Sequence, residues 1–236
     1  MENIVFNVDI KGKIKEFENM ETNKVKITKK LKFYEFDDFL NVSDRIEEYL
    51  SELTDEIENF LTKDIDVQSI NFLLYELLIN TYKHSKFKNA YVQIDIERNL
   101  NIMIYDDGIG IPGSFKEANI DFDNDGKAIF EALNGKTTDK EKFNLHGRGL
   151  NSTARITTLG FKGEMVIFSG NGACLVTENG IDIQKNENSI NGTFISLQMN
   201  NRKIDNIYEY LKYVRINQIK EAENDQIRNN SWGKVS

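Results

Sequence analysis

The strongest periodic signal in this chain is the segment VQSINFLLYELLINTYKH, which runs from Val67 to His84. Its apolar residues recur at steps of three and four, as on one face of an α-helix. They are Ile70, Leu73, Leu74, Leu77, Leu78 and, at the end, Tyr82. Asp66 stands at the N-cap position, where a carboxylate accepts hydrogen bonds from the first turn. We therefore predict a helix over residues 67–84 with its leucines in the core.

Three polar residues lie on the opposite face of this predicted helix. Glu76, Asn80 and His84 are spaced by four residues, which stacks them along one side. A solvated helix face is the simpler interpretation, but the flanking apolar residues leave little of this helix for water. Buried polar groups need partners, so Glu76 and Asn80 are candidate site residues.

A second candidate cluster follows a predicted hairpin. Alternating apolar residues from Ala90 to Ile104, interrupted at residues 98–101, predict two antiparallel strands. The second strand leads into Asp106-Asp107-Gly108-Ile109-Gly110. This Asp-x-Gly-x-Gly sequence offers a fixed acceptor and two residues without a Cβ, so that a ligand can approach the backbone closely. Taken alone, it also fits an ordinary turn.

A third cluster opens a predicted helix that extends to Thr158. It consists of His146, Gly147, Arg148, Gly149 and Leu150. The free N–H groups and the dipole at such a helix start can hold a phosphate. The long polar segment before it, about residues 114–146, is typical of a mobile lid. Residues 121–126 imitate the start of a calcium loop, but its twelfth position is Ala132 instead of Glu, so calcium is not favoured.

The other segments complete a fold prediction. Apolar patterning predicts strands near residues 4–10, 25–33, 164–168, 173–177 and 193–199, and helices within 36–61 and 204–214. We expect an α+β protein, a two-layer α/β sandwich whose mixed, largely antiparallel sheet is covered by helices on one face. Residues 1–65 would belong to or pack on a main domain at 66–203. Residues 204–236 would form a short helix and a polar tail.

Composition excludes several classes of protein. The chain has 236 residues, with 38 acidic and 30 basic side chains. The surplus of Lys and Arg that binders of nucleic-acid backbones gather is missing. Cys174 is the only cysteine, which excludes a disulfide framework and a zinc finger. No apolar run is long enough to span a membrane, and the amino terminus lacks a signal-peptide pattern. We expect a cytoplasmic protein without membrane or nucleic-acid partners.

The order of these elements resembles the GHKL superfamily of ATP-binding domains, which have the Bergerat fold. A Glu-x-x-x-Asn helix, Asp-x-Gly-x-Gly, a lid, Gly-x-Gly-Leu and a strand opened by Gly192-Thr193 follow one another over about residues 66–200. The superfamily includes gyrase-type topoisomerases, heat-shock chaperones, mismatch-repair ATPases, sensor histidine kinases and anti-sigma-factor kinases. The resemblance implies ATP and Mg²⁺ as cofactors.

The resemblance also implies a role for each matching residue. Asn80 would be the magnesium ligand, and Glu76 the catalytic group that orients or activates a water or substrate hydroxyl. Asp106 would accept a hydrogen bond from the adenine amino group, with Thr193 as a second adenine contact through water. The remaining nucleotide-binding residues would be Gly108, Gly110, His146, Gly147, Arg148, Gly149 and Leu150.

The chain departs from the family pattern in ways that bear on its subfamily. Thr81 replaces a frequent alanine, no second Gly-Leu pair follows Leu150, and a turn-rich insertion occupies residues 170–191. Both histidines, His84 and His146, fall inside the ATP region. A separate phosphoacceptor helix is therefore missing, and we do not expect a self-phosphorylating sensor histidine kinase.

The space after the last motif limits the kind of nucleotide protein. Only 43 residues follow Thr193, too few for the domain that converts hydrolysis into motion in gyrases and chaperones. We expect a stand-alone regulatory module, either a protein Ser/Thr kinase similar to anti-sigma kinases or a slow ATPase that controls a protein partner. The alternative is a non-catalytic ATP sensor that exposes a docking surface when ATP binds. The partner is not identified by the sequence, and a homodimer is one option for assembly.

Overall fold

A computed structural model describes residues 10–19, 26–31, 48, 51–52, 55, 66–96, 99–138 and 149–219. Most of the helix predicted within 36–61 lies outside the described residues. The strand predicted near 4–10 is described only at Ile10, which begins a helix instead. Ile14 and Phe17 have helical spacing and share one face of it, and Phe17 is buried there.

The described residues form six helices and five strands. In chain order they are α1 (Ile10–Glu18), β1 (Lys26–Lys30), α2 (Val67–His84), β2 (Ala90–Asp95), β3 (Leu100–Asp106), α3 (Gly110–Glu117), α4 (Asp125–Leu133), α5 (Gly149–Arg155), β4 (Glu164–Thr177), β5 (Gly180–Met199) and α6 (Tyr208–Leu211). A single π-helical turn, Ile156–Gly160, continues α5. Within these residues, none of the helices has the length and apolar character needed to cross a bilayer.

Helix α2 has the bounds that its sequence predicts. The Asp66 carboxylate accepts a hydrogen bond from the backbone N–H of Ser69 at 3.1 Å, which caps the first turn. The predicted apolar stripe is at most 1% exposed, at Ile70, Leu73, Leu74, Leu77 and Leu78. The opposite face, with Glu76 and Asn80, is thereby directed away from the core and into a pocket.

The sheet has the strand order β1-β2-β3-β5-β4, and each neighbouring pair is antiparallel. Asp106, the last residue of β3, lies opposite Thr193 of β5. Thr193 in turn lies opposite Ser169 of β4. Directly opposed residues point to the same face of a sheet, so this register gathers three polar side chains from distant parts of the chain.

Two apolar clusters hold the layers together. The larger one joins helices α2, α4 and α5 to one face of the sheet, as in the contacts of Leu74, Ile104, Ile129 and Ala154. This confirms the predicted two-layer α+β sandwich. On the other face, Phe17 of α1 packs with a smaller group that includes Tyr91, Tyr105, Phe168 and Phe194.

The carboxy-terminal third confirms one prediction and changes another. The strand predicted at 173–177 is part of β4, and the turn-rich insertion at 170–191 is the outer part of a long β4–β5 hairpin, with register shifts between Ser169 and Gly172. The helix predicted over 204–214 is reduced to Tyr208–Leu211. Residues 212–219, the carboxy-terminal strap, run instead along α4 and α5. Asn134, which follows α4, exchanges two hydrogen bonds with the backbone of Ile216, and Asn151 of α5 donates to the carbonyl oxygen of Val214.

The predicted lid is largely regular structure where it is described. Residues 114–138 contain the end of α3 and all of α4. Ile129 and Leu133 of α4 are fully buried, so this part packs into the core. The pattern predicted a lid because the apolar face of α4 is short. Residues 139–146 lie outside the described part of the chain.

Candidate functional site

A pocket of about 530 Å³ lies between the polar face of α2, the end of β3 and the starts of α3 and α5. It brings together most of the described residues that the sequence singles out. They are Glu76, Asn80, Asp106, Gly110, Leu150 and Thr193. The predicted residues His146, Gly147 and Arg148 lie outside the described residues.

Asp106 lines the pocket beside Ser85, just past the end of α2, and is only 3% exposed; we call this part of the pocket the closed end. Burial is the largest influence on its carboxyl group, and together with the neighbouring charge of Asp107 it raises the pKa to about 7. Hydrogen bonds from the backbone N–H groups of Gly108, 3.0 Å from Oδ1, and Thr193 act in the opposite direction. The Ser85 hydroxyl also lies near this carboxyl, although it makes no well-formed hydrogen bond. The pocket therefore ends in a carboxyl that titrates near neutral pH.

The two glycines of Asp-x-Gly-x-Gly are required by packing within the protein. A Cβ on Gly108 would lie 1.9 Å from the carbonyl oxygen of Ser85. Gly110 has a φ of +69°, and its Cβ would lie 2.5 Å from Ser169 Oγ. The sequence argument assigned these glycines to ligand approach. Their contacts show that glycine is required at both positions so that the β3–α3 loop can pack against the end of α2 and the sheet.

Asp107 has a structural role and does not line the pocket. Its carboxylate accepts hydrogen bonds from the backbone N–H groups of Lys88 and Asn89, both at 2.8 Å, and from the Asn89 side chain at 2.9 Å. Burial opposes ionisation, but these hydrogen bonds lower the pKa of Asp107 overall. Asp107 therefore ties the end of β3 to the residues before β2, whereas the local turn contact of this motif, from the Gly108 N–H, is made to Asp106.

At the open end of the pocket, α5 begins against the polar face of α2. A Cβ on Gly149 would lie 2.1 Å from Glu76 Oε2 and 3.8 Å from Asn80 Nδ2. The absence of a side chain at Gly149 thus lets the helix start approach both groups. Leu150 follows and lines the pocket. Two elements separated by more than 60 residues meet here, as the motif order predicted.

Lys83, Lys136 and Thr138 line the pocket without belonging to the three predicted polar clusters. Lys83, on the last turn of α2, and Lys136, which follows α4, place positive charge in the pocket wall. Thr138 Oγ1 lies 3.2 Å from His84 Nδ1 and joins the segment after α4 to the end of α2. Helical spacing signals Lys83, three residues after Asn80. Lys136 has no such signal, because it reaches the pocket only through the way α4 packs in the fold.

The acidic run that imitates a calcium loop has other partners. Asn124 caps α4, because its side chain accepts from the backbone N–H of Lys127 at 3.0 Å. Asp125 Oδ2 accepts from the backbone N–H of Asn171 at 2.8 Å. Across the described ranges, His, Cys, Asp and Glu side chains form no group of three that could hold a metal ion.

The fold and pocket agree with the comparison of this chain with known families. The family model described as histidine kinase-, DNA gyrase B-, and HSP90-like ATPase matches residues 65–195, more than half of the chain. The chain therefore belongs to this family of ATPase domains, and its fold is that of a GHKL-type ATP-binding module. No curated protein and no solved structure matches it.

The residues present fit magnesium carried by a nucleotide. Mg²⁺ is usually held by one or two protein oxygens together with phosphates and water. Asn80 supplies an amide oxygen at the open end of the pocket, next to the start of α5, and the Glu76 carboxylate lies beside it. This donor set is too small for a metal cage made by protein alone, and it suits an ion whose other ligands are phosphate oxygens.

Proposed function

We propose that this protein is a Mg-ATP-binding regulatory protein that acts as a stand-alone protein Ser/Thr kinase or as a slow ATPase controlling a protein partner. The observation that carries the proposal is the polarity of one pocket. A buried carboxyl, Asp106, closes one end, and the pair Glu76 and Asn80 stands at the other. The two ends match the two chemically different ends of ATP.

At the closed end, Asp106 accepts a hydrogen bond from the adenine amino group. Its burial supports this role, because a hydrogen bond to a charged acceptor is stronger where water is excluded. Thr193, directly opposite Asp106 in the sheet, is the second contact to the base, through water. Gly108 and Gly110 keep the loop after β3 close enough to form this wall.

At the open end, Asn80 would hold the magnesium ion, and Glu76 acts on the nucleophile. Bound Mg²⁺ supplies charge neutralisation on the phosphates. Glu76 accepts the proton of a water or a Ser/Thr hydroxyl. The oxygen of that water or hydroxyl attacks the γ-phosphorus, and ADP leaves. The N–H groups at the start of α5, with Gly149 and Leu150, face the phosphates. On the motif match alone, we also assign phosphate binding to His146, Gly147 and Arg148.

The test separates binding from turnover with two substitutions on one helix. Asn80→Ala is expected to abolish the magnesium-dependent part of ATP binding, measured by calorimetry with and without Mg²⁺. Glu76→Gln is expected to keep ATP binding and to lower phosphate release or transfer at least about 100-fold, the usual contribution of a general base. Glu178→Gln, at the exposed tip of the β4–β5 hairpin, is the matched control and should behave as wild type.

Each result assigns the protein to one class. Full turnover by Glu76→Gln would refute the catalytic role of Glu76. Tight ATP binding without any turnover by the wild-type protein would instead support the non-catalytic sensor. Phosphate release that does not depend on a protein substrate would favour the ATPase over the kinase.

A further inference from the structure

Ser169, which no motif singled out, is the hydrogen-bonding centre of the pocket's closed end. It is fully buried in β4 at the start of the register shift. Its Oγ accepts from the backbone N–H of Ile111 at 2.9 Å and donates to the carbonyl oxygen of Gly192 at 2.9 Å. The third neighbour is Thr193 Oγ1, at 3.2 Å. Ser169 thus ties the start of α3 to β5 next to Asp106.

The number of protons in this cluster determines which way each hydroxyl points. A serine hydroxyl has one proton to donate and two lone pairs to accept with. The Gly192 carbonyl can only accept, so the single proton of Ser169 is committed to it. Thr193 must therefore be the donor in its contact with Ser169. Its own proton then points away from the pocket, and only its lone pairs face a ligand.

Together with Asp106, this makes the closed end a wall of acceptors. A 6-aminopurine presents two N–H groups there, whereas a 6-oxopurine presents a carbonyl oxygen that acceptors repel. The same preference holds if a water lies between, because a water that donates to Thr193 keeps its second proton for ring nitrogen N1. That nitrogen accepts in a 6-aminopurine but carries a hydrogen in a 6-oxopurine.

We propose that Ser169 is a positioning residue for base specificity, which makes the pocket prefer 6-aminopurine over 6-oxopurine nucleotides by fixing the direction of the Thr193 hydroxyl. This rests on the proposed placement of the base beside Asp106. A purely structural role is the competing account, because Ser169 also caps α3, whose N-cap residue Ile109 makes no side-chain cap. The two accounts differ in whether Thr193 mediates the effect.

The experiment measures affinities for ATP and inosine triphosphate, which differ at positions 1 and 6 of the purine. Ser169→Ala is made in the wild-type protein and in a Thr193→Val background, and each affinity is obtained by calorimetry. In the wild-type background we expect Ser169→Ala to lower the ratio of ATP to inosine triphosphate affinity about tenfold, the effect of one hydrogen bond. In the Thr193→Val background it should leave the ratio unchanged, because the hydroxyl it orients is gone.

An unchanged ratio in folded Ser169→Ala would overturn the proposal, and so would the same tenfold drop in both backgrounds. Thermal unfolding of each variant shows whether it folds. If Ser169→Ala does not fold, the Thr193→Val variant alone decides. The proposal requires that Thr193→Val lower the ratio of ATP to inosine triphosphate affinity, and a ratio equal to that of wild type refutes it. Failure of the wild-type protein to bind either nucleotide would contradict the proposed function itself, whereas ATP binding with no effect of these variants would contradict only the role of Ser169.

Discussion

Replacing Asp106 with Asn is expected to stabilise the free protein while weakening ATP binding. Burial raises the pKa of this carboxyl from 3.8 to about 7. At about 1.4 kcal/mol per pH unit, the charged form costs up to about 4 kcal/mol of folding free energy. Because the pKa is raised on folding, Asp106 is protonated in both the folded and the unfolded protein below pH 4, and the cost is absent there. The free energy of unfolding of the wild-type protein then falls as the pH rises through 7. The asparagine does not titrate, so Asp106→Asn should be more stable than wild type at pH 8, with about 4 kcal/mol as the upper limit.

Binding should change in the opposite direction. The loss of one hydrogen bond to a charged acceptor weakens binding by roughly 1.5 to 3 kcal/mol, about ten- to a hundred-fold in affinity. Wild-type affinity should itself fall about tenfold from pH 8 to pH 6, because only about one carboxyl in ten is ionised one pH unit below its pKa. Asp106→Asn lacks this carboxyl. It is therefore the matched control for titration of the ATP phosphates.

Urea unfolding and calorimetry with ATP, each at pH 6 and pH 8, provide the measurements. We expect Asp106→Asn to become more stable relative to wild type between pH 6 and pH 8. Its affinity for ATP should stay nearly constant over this range, apart from the effect of titrating the ATP phosphates. The reasoning is refuted if wild type and Asp106→Asn share one pH dependence of affinity. It is also refuted if the variant is the less stable protein at pH 8.

Two further substitutions test packing around the site. Gly192→Ala should cost several kcal/mol and disturb the β3–β5 pairing, since Gly192 has a φ of +76° and a Cβ there would lie 1.9 Å from the Asp106 carbonyl oxygen; a thermal unfolding midpoint within a few degrees of wild type would contradict this. Asn151→Ala should cost about 1 to 3 kcal/mol in urea unfolding, because the buried amide of Asn151 donates to the carbonyl oxygens of Leu133 and Val214. A cost near zero would mean that the carboxy-terminal strap does not depend on this contact.

Local patterns were sufficient for the elements whose partners are close in the chain. Helix α2 follows from the spacing of its leucines and from the Asp66 cap, both of which act within one or two turns. The β2–β3 hairpin follows from alternation on either side of a short turn. The order of the polar clusters also predicted the family and one pocket containing Glu76, Asn80 and Asp106, because the first pair follows helical spacing and Asp106 ends a strand.

Only the tertiary structure determined which residues complete the pocket and how its groups behave. Ser169 carries no local signal, since its function depends on pairing with Thr193, 24 residues later in the chain. The raised pKa of Asp106 requires the layers that exclude water from it. The strap leaves the predicted helix after Leu211 and follows α4 and α5, where Asn134 and Asn151 hydrogen-bond to its backbone. The periodicity of apolar residues predicts the secondary structure of the segment in which they lie. Burial and cross-strand contacts depend instead on segments that are distant in the sequence and meet only in the folded protein.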